Sequence, residues 1–202
     1  MSHTLLVVAH PRTDSLTGQA AARARQQLEA AGHTVDLLDL HAEGFDPRMT
    51  QADEPDWSDP HKTYSPEVRA HMRRIEAAGT VVVVFPLWWY AMPALLKGWF
   101  DRVWNNGFAY GNPADRTPFS GKRMLWTVLA GAGAEDLSKP GFDDAIERLL
   151  RAGISEYTGM TDVTLEFVYE TVVADAAGAR RVLDDADTAL ADFLAAPGAR
   201  TP

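Results

Sequence analysis

Thr80-Val81-Val82-Val83-Val84-Phe85 is a run of β-branched residues that ends in an aromatic and is closed by Pro86. Branching at Cβ favours extended backbone, and an apolar run without polar alternation marks a strand covered on both faces. Four more stretches read in the same way: Thr4–Ala9, Thr34–Leu40, Lys122–Ala130 and Thr161–Val168. Helical patterns separate them. Leu16–Ala31 carries Leu16, Ala20, Ala24 and Leu28 at helical spacing and stops at Gly32. Ser65-Pro66-Glu67 supplies a capping hydroxyl, a proline for the first helical position and a first-turn acid. The helix it opens has the stripe Val68, Met72, Ile75 and ends at Gly79. Further helices are expected over Pro93–Trp104, Phe142–Ala152 and Ala179–Ala195. Strand and helix thus alternate five times, which predicts a parallel α/β sheet with helices on both faces. Five strands suit the order 2-1-3-4-5.

The chain of 202 residues is 46% hydrophobic and 23% charged, which suits one domain, 1–202, around a full-sized core. The sequence shows no internal repeat or linker, and Pro197–Pro202 reads as a loose tail. There are no cysteines, so disulfides, thiolate catalysis and cysteine-bound metal clusters are excluded. That absence fits a reducing, cytoplasmic location. A net charge of −9 argues against nucleic acid or anionic lipid as partner. Met1–Ala9 lacks the basic start of a signal peptide, and no apolar stretch is long enough to insert in a membrane. His3, His33, His41, His61 and His71 have no metal-ligand spacing and read as solvated, so no metal is expected. No Ser/His/Asp arrangement stands out.

In an open parallel sheet a ligand sits beyond the carboxyl ends of the strands, where strand order reverses. Three loops should meet there. The first, His10-Pro11-Arg12-Thr13-Asp14-Ser15-Leu16-Thr17, runs straight into a helix, whose free amides favour a phosphate. Ser15 and Thr17 add hydroxyls and His10 a positive edge; Ser15 serves equally as a plain helix cap. Neither the GxGxxG dinucleotide fingerprint nor a P-loop is present. The second loop, Pro86-Leu87-Trp88-Trp89-Tyr90-Ala91-Met92-Pro93, puts three consecutive aromatics between stiffening prolines. They offer flat surface for a planar ring, and core or dimer packing is the competing reading. The third, Leu129-Ala130-Gly131-Ala132-Gly133-Ala134, is small enough for close backbone approach to a ligand. Residues 41–64, with Pro47, Pro55, Pro60 and many acids, form a long loop of the kind that is often functional. Asp101 and Arg102 are adjacent and read as ordinary surface or interface pairs.

Taken together, these segments resemble the NAD(P)H:quinone oxidoreductase family of flavodoxin-like enzymes, mammalian and bacterial. The run Phe85-Pro86-Leu87-Trp88-Trp89-Tyr90-Ala91-Met92-Pro93-Ala94-Leu95-Leu96-Lys97-Gly98-Trp99-Phe100-Asp101-Arg102-Val103 carries most of the likeness. Leu6–Pro11 with Ser15-Leu16-Thr17, Asp39–Pro47, Gly107–Gly111 and Phe119–Lys122 add to it, over about residues 4–135. The resemblance implies FAD or FMN, one per subunit, with NAD(P)H as cosubstrate. It implies that His10, Ser15, Leu16 and Thr17 hold the flavin phosphate. Pro86, Leu87, Trp88, Trp89 and Tyr90 cradle the flavin ring, and Ala130, Gly131 and Ala132 meet its pyrimidine edge. It further implies a homodimer in which Asp101 and Tyr110 serve the neighbouring subunit's site. Trp89, Tyr90, Gly131 and Tyr110 are then the residues nearest the chemistry.

Two departures are visible. The mammalian enzymes read Thr-Thr-Gly-Gly where this chain has Leu129-Ala130-Gly131-Ala132, and a tyrosine and a histidine where it has Leu137 and Asp143. The resemblance implies ping-pong hydride transfer to a quinone, and the departures widen the expected acceptor to another flavin, a nitro or azo compound, or a quinonoid pathway intermediate. A flavodoxin-like electron carrier and a regulatory flavoprotein subunit of a transporter are the alternatives. A phospho-receiver domain shares the topology but needs acids where this chain has His10-Pro11 and Pro86-Leu87.

Overall fold

The computed structural model describes residues 2–111 and 116–196; the expected tail at Pro197–Pro202 lies outside the described residues. Strands β1 (His3–Val8), β2 (Thr34–Asp39), β3 (Thr80–Pro86), β4 (Arg123–Leu129) and β5 (Asp162–Val168) form one sheet in the order 2-1-3-4-5. Every neighbouring pair is parallel. The α-helices are α1 (Leu16–Ala30), α2 (Pro66–Ala77), α3 (Ala94–Val103), α4 (Ala134–Ser138), α5 (Phe142–Arg148) and α6 (Ala176–Ala195).

All seven residues of β3 are buried, because β1 and β4 flank it and helices cover both faces. Successive side chains point to opposite faces. Val81, Val83 and Phe85 join Leu5, Val7, Met124 and Trp126 in the core shared with α2 and α3. Val82 and Val84 join Leu6, Val8 and Leu125 in the core shared with α1 and α6. Each such buried side chain contributes roughly 1.5–3 kcal/mol relative to exposure. At α2 the Ser65 hydroxyl accepts from the Val68 amide, as the sequence requires. At its far end the buried Lys122 ammonium donates to the carbonyls of Glu76 and Ala78, and burial holds its pKa below the ordinary lysine value.

Three expectations need correction. The helix read over Phe142–Ala152 is α5 only as far as Arg148; the chain continues as a π-helical turn, Leu149–Ser155, and a 3-10 turn, Glu156–Thr158. The buried Ser155 hydroxyl donates to the Leu150 carbonyl five residues back and accepts from Trp126 Nε1, which fits the wider turn. Arg102 is not at the surface. It is 3% exposed and binds Asp53, which is fully buried. Its Nη2 lies 2.8 Å from Asp53 Oδ2 and 2.7 Å from Glu67 Oε2, and Nη1 donates to the Asp46 carbonyl. The guanidinium sits 5.0 Å from the Phe45 ring centre. The Ser65 amide and hydroxyl and the Thr50 hydroxyl also donate to the Asp53 carboxylate. Burial pushes the Asp53 carboxyl up, but Arg102 and these donors outweigh it and hold it below the usual carboxylate range. Asp101 does form the expected exposed pair, with Lys97.

This ion pair straps residues 46–53 across α3. The packing is close: a Cβ at Gly98 would stand 2.3 Å from the Pro47 carbonyl oxygen. The third correction is His71, which is buried rather than solvated. It lies on α2 within the Val68, Met72, Ile75 stripe and accepts from Trp99 Nε1 at 3.4 Å. Its ring meets Phe45 edge-on at 5.2 Å. Desolvation lowers its pKa most, with Arg74 and Arg102 adding to the shift against Glu43 and Glu67.

Arg102→Met strands a buried carboxylate and is expected to cost about 3–5 kcal/mol in urea unfolding. Adding Asp53→Asn should restore part of that loss, through a coupling of about 1–3 kcal/mol. Neutral His71 is favoured in the fold, so the unfolded chain binds more protons at pH values below its ordinary pKa of 6.5. Its contribution is present above that value and lost as the pH falls through the lowered folded pKa. Unfolding free energies at about pH 7.5 and about pH 5.5 should therefore converge more closely for His71→Asn than for the unaltered protein.

Candidate functional site

Parallel pairing brings the carboxyl ends of all five strands to one edge, and the three expected loops leave from it. In the first loop, Ser15 closes the entry to α1. Its hydroxyl accepts from the Gly18 amide at 3.1 Å and donates to the Arg12 carbonyl at 2.8 Å, so the capping role is realised. The loop folds tightly onto the first turn of α1: a Cβ at Gly18 would stand 2.2 Å from the Thr13 carbonyl oxygen. Leu16 and Thr17 are the first two residues of the helix, and their amides precede its hydrogen-bond ladder. Burial lowers the pKa of His10 below 6.5, so it offers a neutral ring rather than the expected positive edge. Its Nδ1 faces the Arg12 amide at 3.1 Å. The ring meets Trp88 edge-on at 5.8 Å, which joins the first loop to the second.

In the second loop the Leu87 amide donates to the Leu129 carbonyl, extending the β3–β4 ladder past Pro86. Trp88 and Ala91 then exchange both backbone hydrogen bonds, at 3.0 and 3.1 Å, across a two-residue turn. The turn residues are Trp89 (φ 52°) and Tyr90 (φ 58°), both left-handed. Such turns usually take Asn and Gly, since a side chain at positive φ costs roughly 1–2 kcal/mol. Here two aromatics occupy them. Trp89 is 94% exposed, Trp88 and Tyr90 about half as much, and Leu87 is half-buried. Tyr90 packs on Phe142 at the start of α5, ring centres 4.1 Å apart. The turn is thus held at both sides while Trp89 stands free.

The third loop is bracketed by the segment after β5. Amides of Thr171 and Glu170 donate to the carbonyls of Ala130 and Ala132. The amides of Gly131 and Ala132 donate to no protein atom among the described residues. A Cβ at Gly131 would press on Val172 at 3.1 Å. Leu137 is fully buried and carries no polar group to this edge, whereas Asp143 stays half-buried in the first turn of α5.

The loops at 10–17, 86–93 and 129–134 therefore share one strand edge, with the His10–Trp88 contact as direct link between two of them. Tyr110 and Asp101 stand elsewhere. They line a separate cleft with Lys97, Trp104 and Tyr157, to which none of the three loops contributes. Burial raises the Tyr110 hydroxyl pKa, with Tyr157 adding to it. Phe142 escaped the sequence reading because its contact with Tyr90 is long-range. Among the described residues no group of three or more His, Cys, Asp or Glu side chains could hold a metal, and no helix is long and apolar enough to cross a membrane.

A flat aromatic turn and free backbone amides at the switch point of a 2-1-3-4-5 sheet define a ligand-binding protein of the doubly wound class. The chain belongs to the flavodoxin-like fold family, whose sequence model matches residues 2–191. It is similar to the uncharacterised NAD(P)H oxidoreductase YcaK of Escherichia coli K12, at 44% identity over 84% of this chain and 85% of that protein. It is 30% identical to rat NAD(P)H dehydrogenase (quinone) 1 over 82% of this chain and 68% of the rat enzyme. Among solved structures, the NAD(P)H:quinone oxidoreductase of Methanothermobacter marburgensis superposes with a TM-score of 0.88 at 26% identity, covering 97% of this chain and 98% of that one.

Trp89→Gly removes a left-handed side chain that has no supporting contact. It is expected to leave folding intact and to raise stability by about 1 kcal/mol, read as a higher melting temperature of the ligand-free protein. A lower melting temperature would show that the indole supports the fold.

Proposed function

We propose that this chain is a flavin-dependent NAD(P)H oxidoreductase that passes hydride to a quinone or a similar small planar acceptor, such as a nitro or azo compound. The meeting of a rigid, exposed aromatic turn with two unpartnered backbone amides at one sheet edge carries this reading. FAD or FMN fits the residues present. Pro86, Leu87, Trp88, Trp89 and Tyr90 offer one apolar face to its ring. Ala130, Gly131 and Ala132 meet the opposite edge, where the free amides of Gly131 and Ala132 suit carbonyl oxygens and stabilise negative charge. The phosphate falls to the amides of Leu16 and Thr17, with Ser15 fixing the turn and His10 beside it. YcaK and the rat enzyme, both named for NAD(P)H, support the choice of cosubstrate.

When bound, the flavin supplies the two-electron chemistry between nicotinamide and acceptor. The chain's own residues bind, orient and shield. Trp89 and Tyr90 shape a slot that excludes water from the reacting face, and the slot serves nicotinamide and acceptor in turn. A homodimer completes it, with Tyr110 and Asp101 reaching the neighbouring subunit's slot. The exposed aromatics Trp88, Trp89 and Tyr157 give such a dimer apolar surface to cover.

The purified protein is expected to be yellow, to release FMN or FAD identifiable by mass, and to oxidise NAD(P)H with a quinone without a partner reductase. Ser15→Ala should lower flavin content as well as stability, the latter by about 1 kcal/mol. Protein that stays colourless after incubation with both flavins would refute the proposal. Sedimentation at a single-chain mass would remove the dimer from it.

A further inference from the structure

Among the described residues, three other than glycine adopt a left-handed backbone: Trp89, Tyr90 and Glu170. The first two form the aromatic turn. Glu170 (φ 54°) follows β5 and lines a polar depression together with Gly131 and Ala132 of the third loop and Arg181 of α6. Such a conformation is unfavourable for a residue with a side chain, and it persists where neighbouring contacts enforce it. The enforcing contact here is Arg181. Its Nη2 donates to the Glu170 carbonyl at 3.0 Å and to the Tyr169 carbonyl at 3.4 Å. Asp185, one turn further along α6, holds Nη1 at 3.0 Å. The start of α6 is itself pressed against this segment, since a Cβ at Gly178 would stand 3.0 Å from Val173 Cβ.

A trans peptide points its carbonyl and its N–H in opposite directions. The Tyr169 carbonyl shares its peptide with the Glu170 N–H, which donates to the Ala132 carbonyl at 3.1 Å. The Glu170 carbonyl shares its peptide with the Thr171 N–H, which donates to the Ala130 carbonyl at 3.0 Å. Arg181 therefore grips from behind both peptides that hold the third loop. The same rule applies across the loop. With the Ala130 carbonyl turned to Thr171, the Gly131 N–H must point away from that segment. The Ala132–Gly133 peptide is fixed at both ends, because its N–H meets Asp136 Oδ2 at 3.3 Å. The Ala132 N–H lies between these two held peptides.

We propose that Arg181 is a positioning residue for the flavin: by gripping the Tyr169 and Glu170 carbonyls it aims the free N–H groups of Gly131 and Ala132, and so sets how well the site holds negative charge on the reduced ring. The inference goes beyond the functional reading above and rests on it for the ligand. The left-handed backbone of Glu170 is the element through which Arg181 acts.

Arg181→Met keeps an aliphatic stem and removes every donor. Its Kd for reduced flavin should rise about tenfold more than its Kd for oxidised flavin, which lowers the reduction potential of the bound flavin by about 30 mV. Arg181→Lys, which still donates to a carbonyl, should recover part of this shift. Glycine adopts the left-handed conformation without help. In a Glu170→Gly background, adding Arg181→Met should therefore move the potential much less. In the ligand-free protein, hydrogen exchange at the Glu170 and Thr171 amides should quicken on Arg181→Met. An unchanged potential in Arg181→Met overturns the inference. So does a shift of equal size in both backgrounds, which would mean that the guanidinium charge acts on the ring directly. Failure of the unaltered protein to bind either flavin counts against the functional reading instead, and the exchange rates then decide whether Arg181 holds the loop.

Discussion

Parallel pairing of β3 between β1 and β4 is the constraint from which the candidate site follows. It aligns three carboxyl ends side by side and forbids short hairpin connections between the strands. Each chain exit must therefore pass over the same edge before crossing back through a helix. The ladder continues to Leu87, one residue past Pro86, so the aromatic turn leaves from a fixed point. The His10 ring then meets Trp88 without either loop having to search for the other.

The strap from Asp46 to Asp53 depends on a different force. It has no regular secondary structure of its own, and the Arg102 guanidinium holds it together with hydrogen bonds from Ser65 and Asn105 to Asp53. Burying that charge is costly, and the fold offsets the cost with two carboxylates and a carbonyl. One nitrogen, Arg102 Nε, has no hydrogen-bond partner among the described residues. The arrangement is better understood as fixing one geometry than as adding net stability. A hydrophobic filler would hold the strap as firmly but would not specify which carboxylate it meets.

Much of this was legible in the sequence, and the misses have physical causes. The Val81–Val84 run marks a buried strand, and the order 2-1-3-4-5 was expected from its alternation with helices and four more strands; the register was not read from the sequence. The three loops were found because strand ends can be located from apolar runs. His71 was readable but passed over: it stands three residues after Val68 and four before Ile75, on the apolar stripe of α2. Arg102 was not readable, because its partners lie 35 and 49 positions earlier, in Glu67 and Asp53. The π-helical turn was invisible for a similar reason, since the Ser155 hydroxyl that bonds five residues back to Leu150 also meets the indole of Trp126, a partner 29 positions away. The left-handed Trp89 and Tyr90 run against local preference, and strain of this kind tends to sit at working edges of proteins.

The π-helical turn at Leu149–Ser155 has an evolutionary consequence. A π turn is an α-helix carrying one residue too many, so a single deletion there would re-close an ordinary helix without disturbing β5. In a continuous α-helix such a step would rotate the following residues by about 100° and move them about 1.5 Å along the axis, and the wider turn absorbs it. Glu156, Tyr157 and Thr158 follow in the 3-10 turn, so a one-residue change of length at this point can be taken up locally while they and the sheet stay as they are.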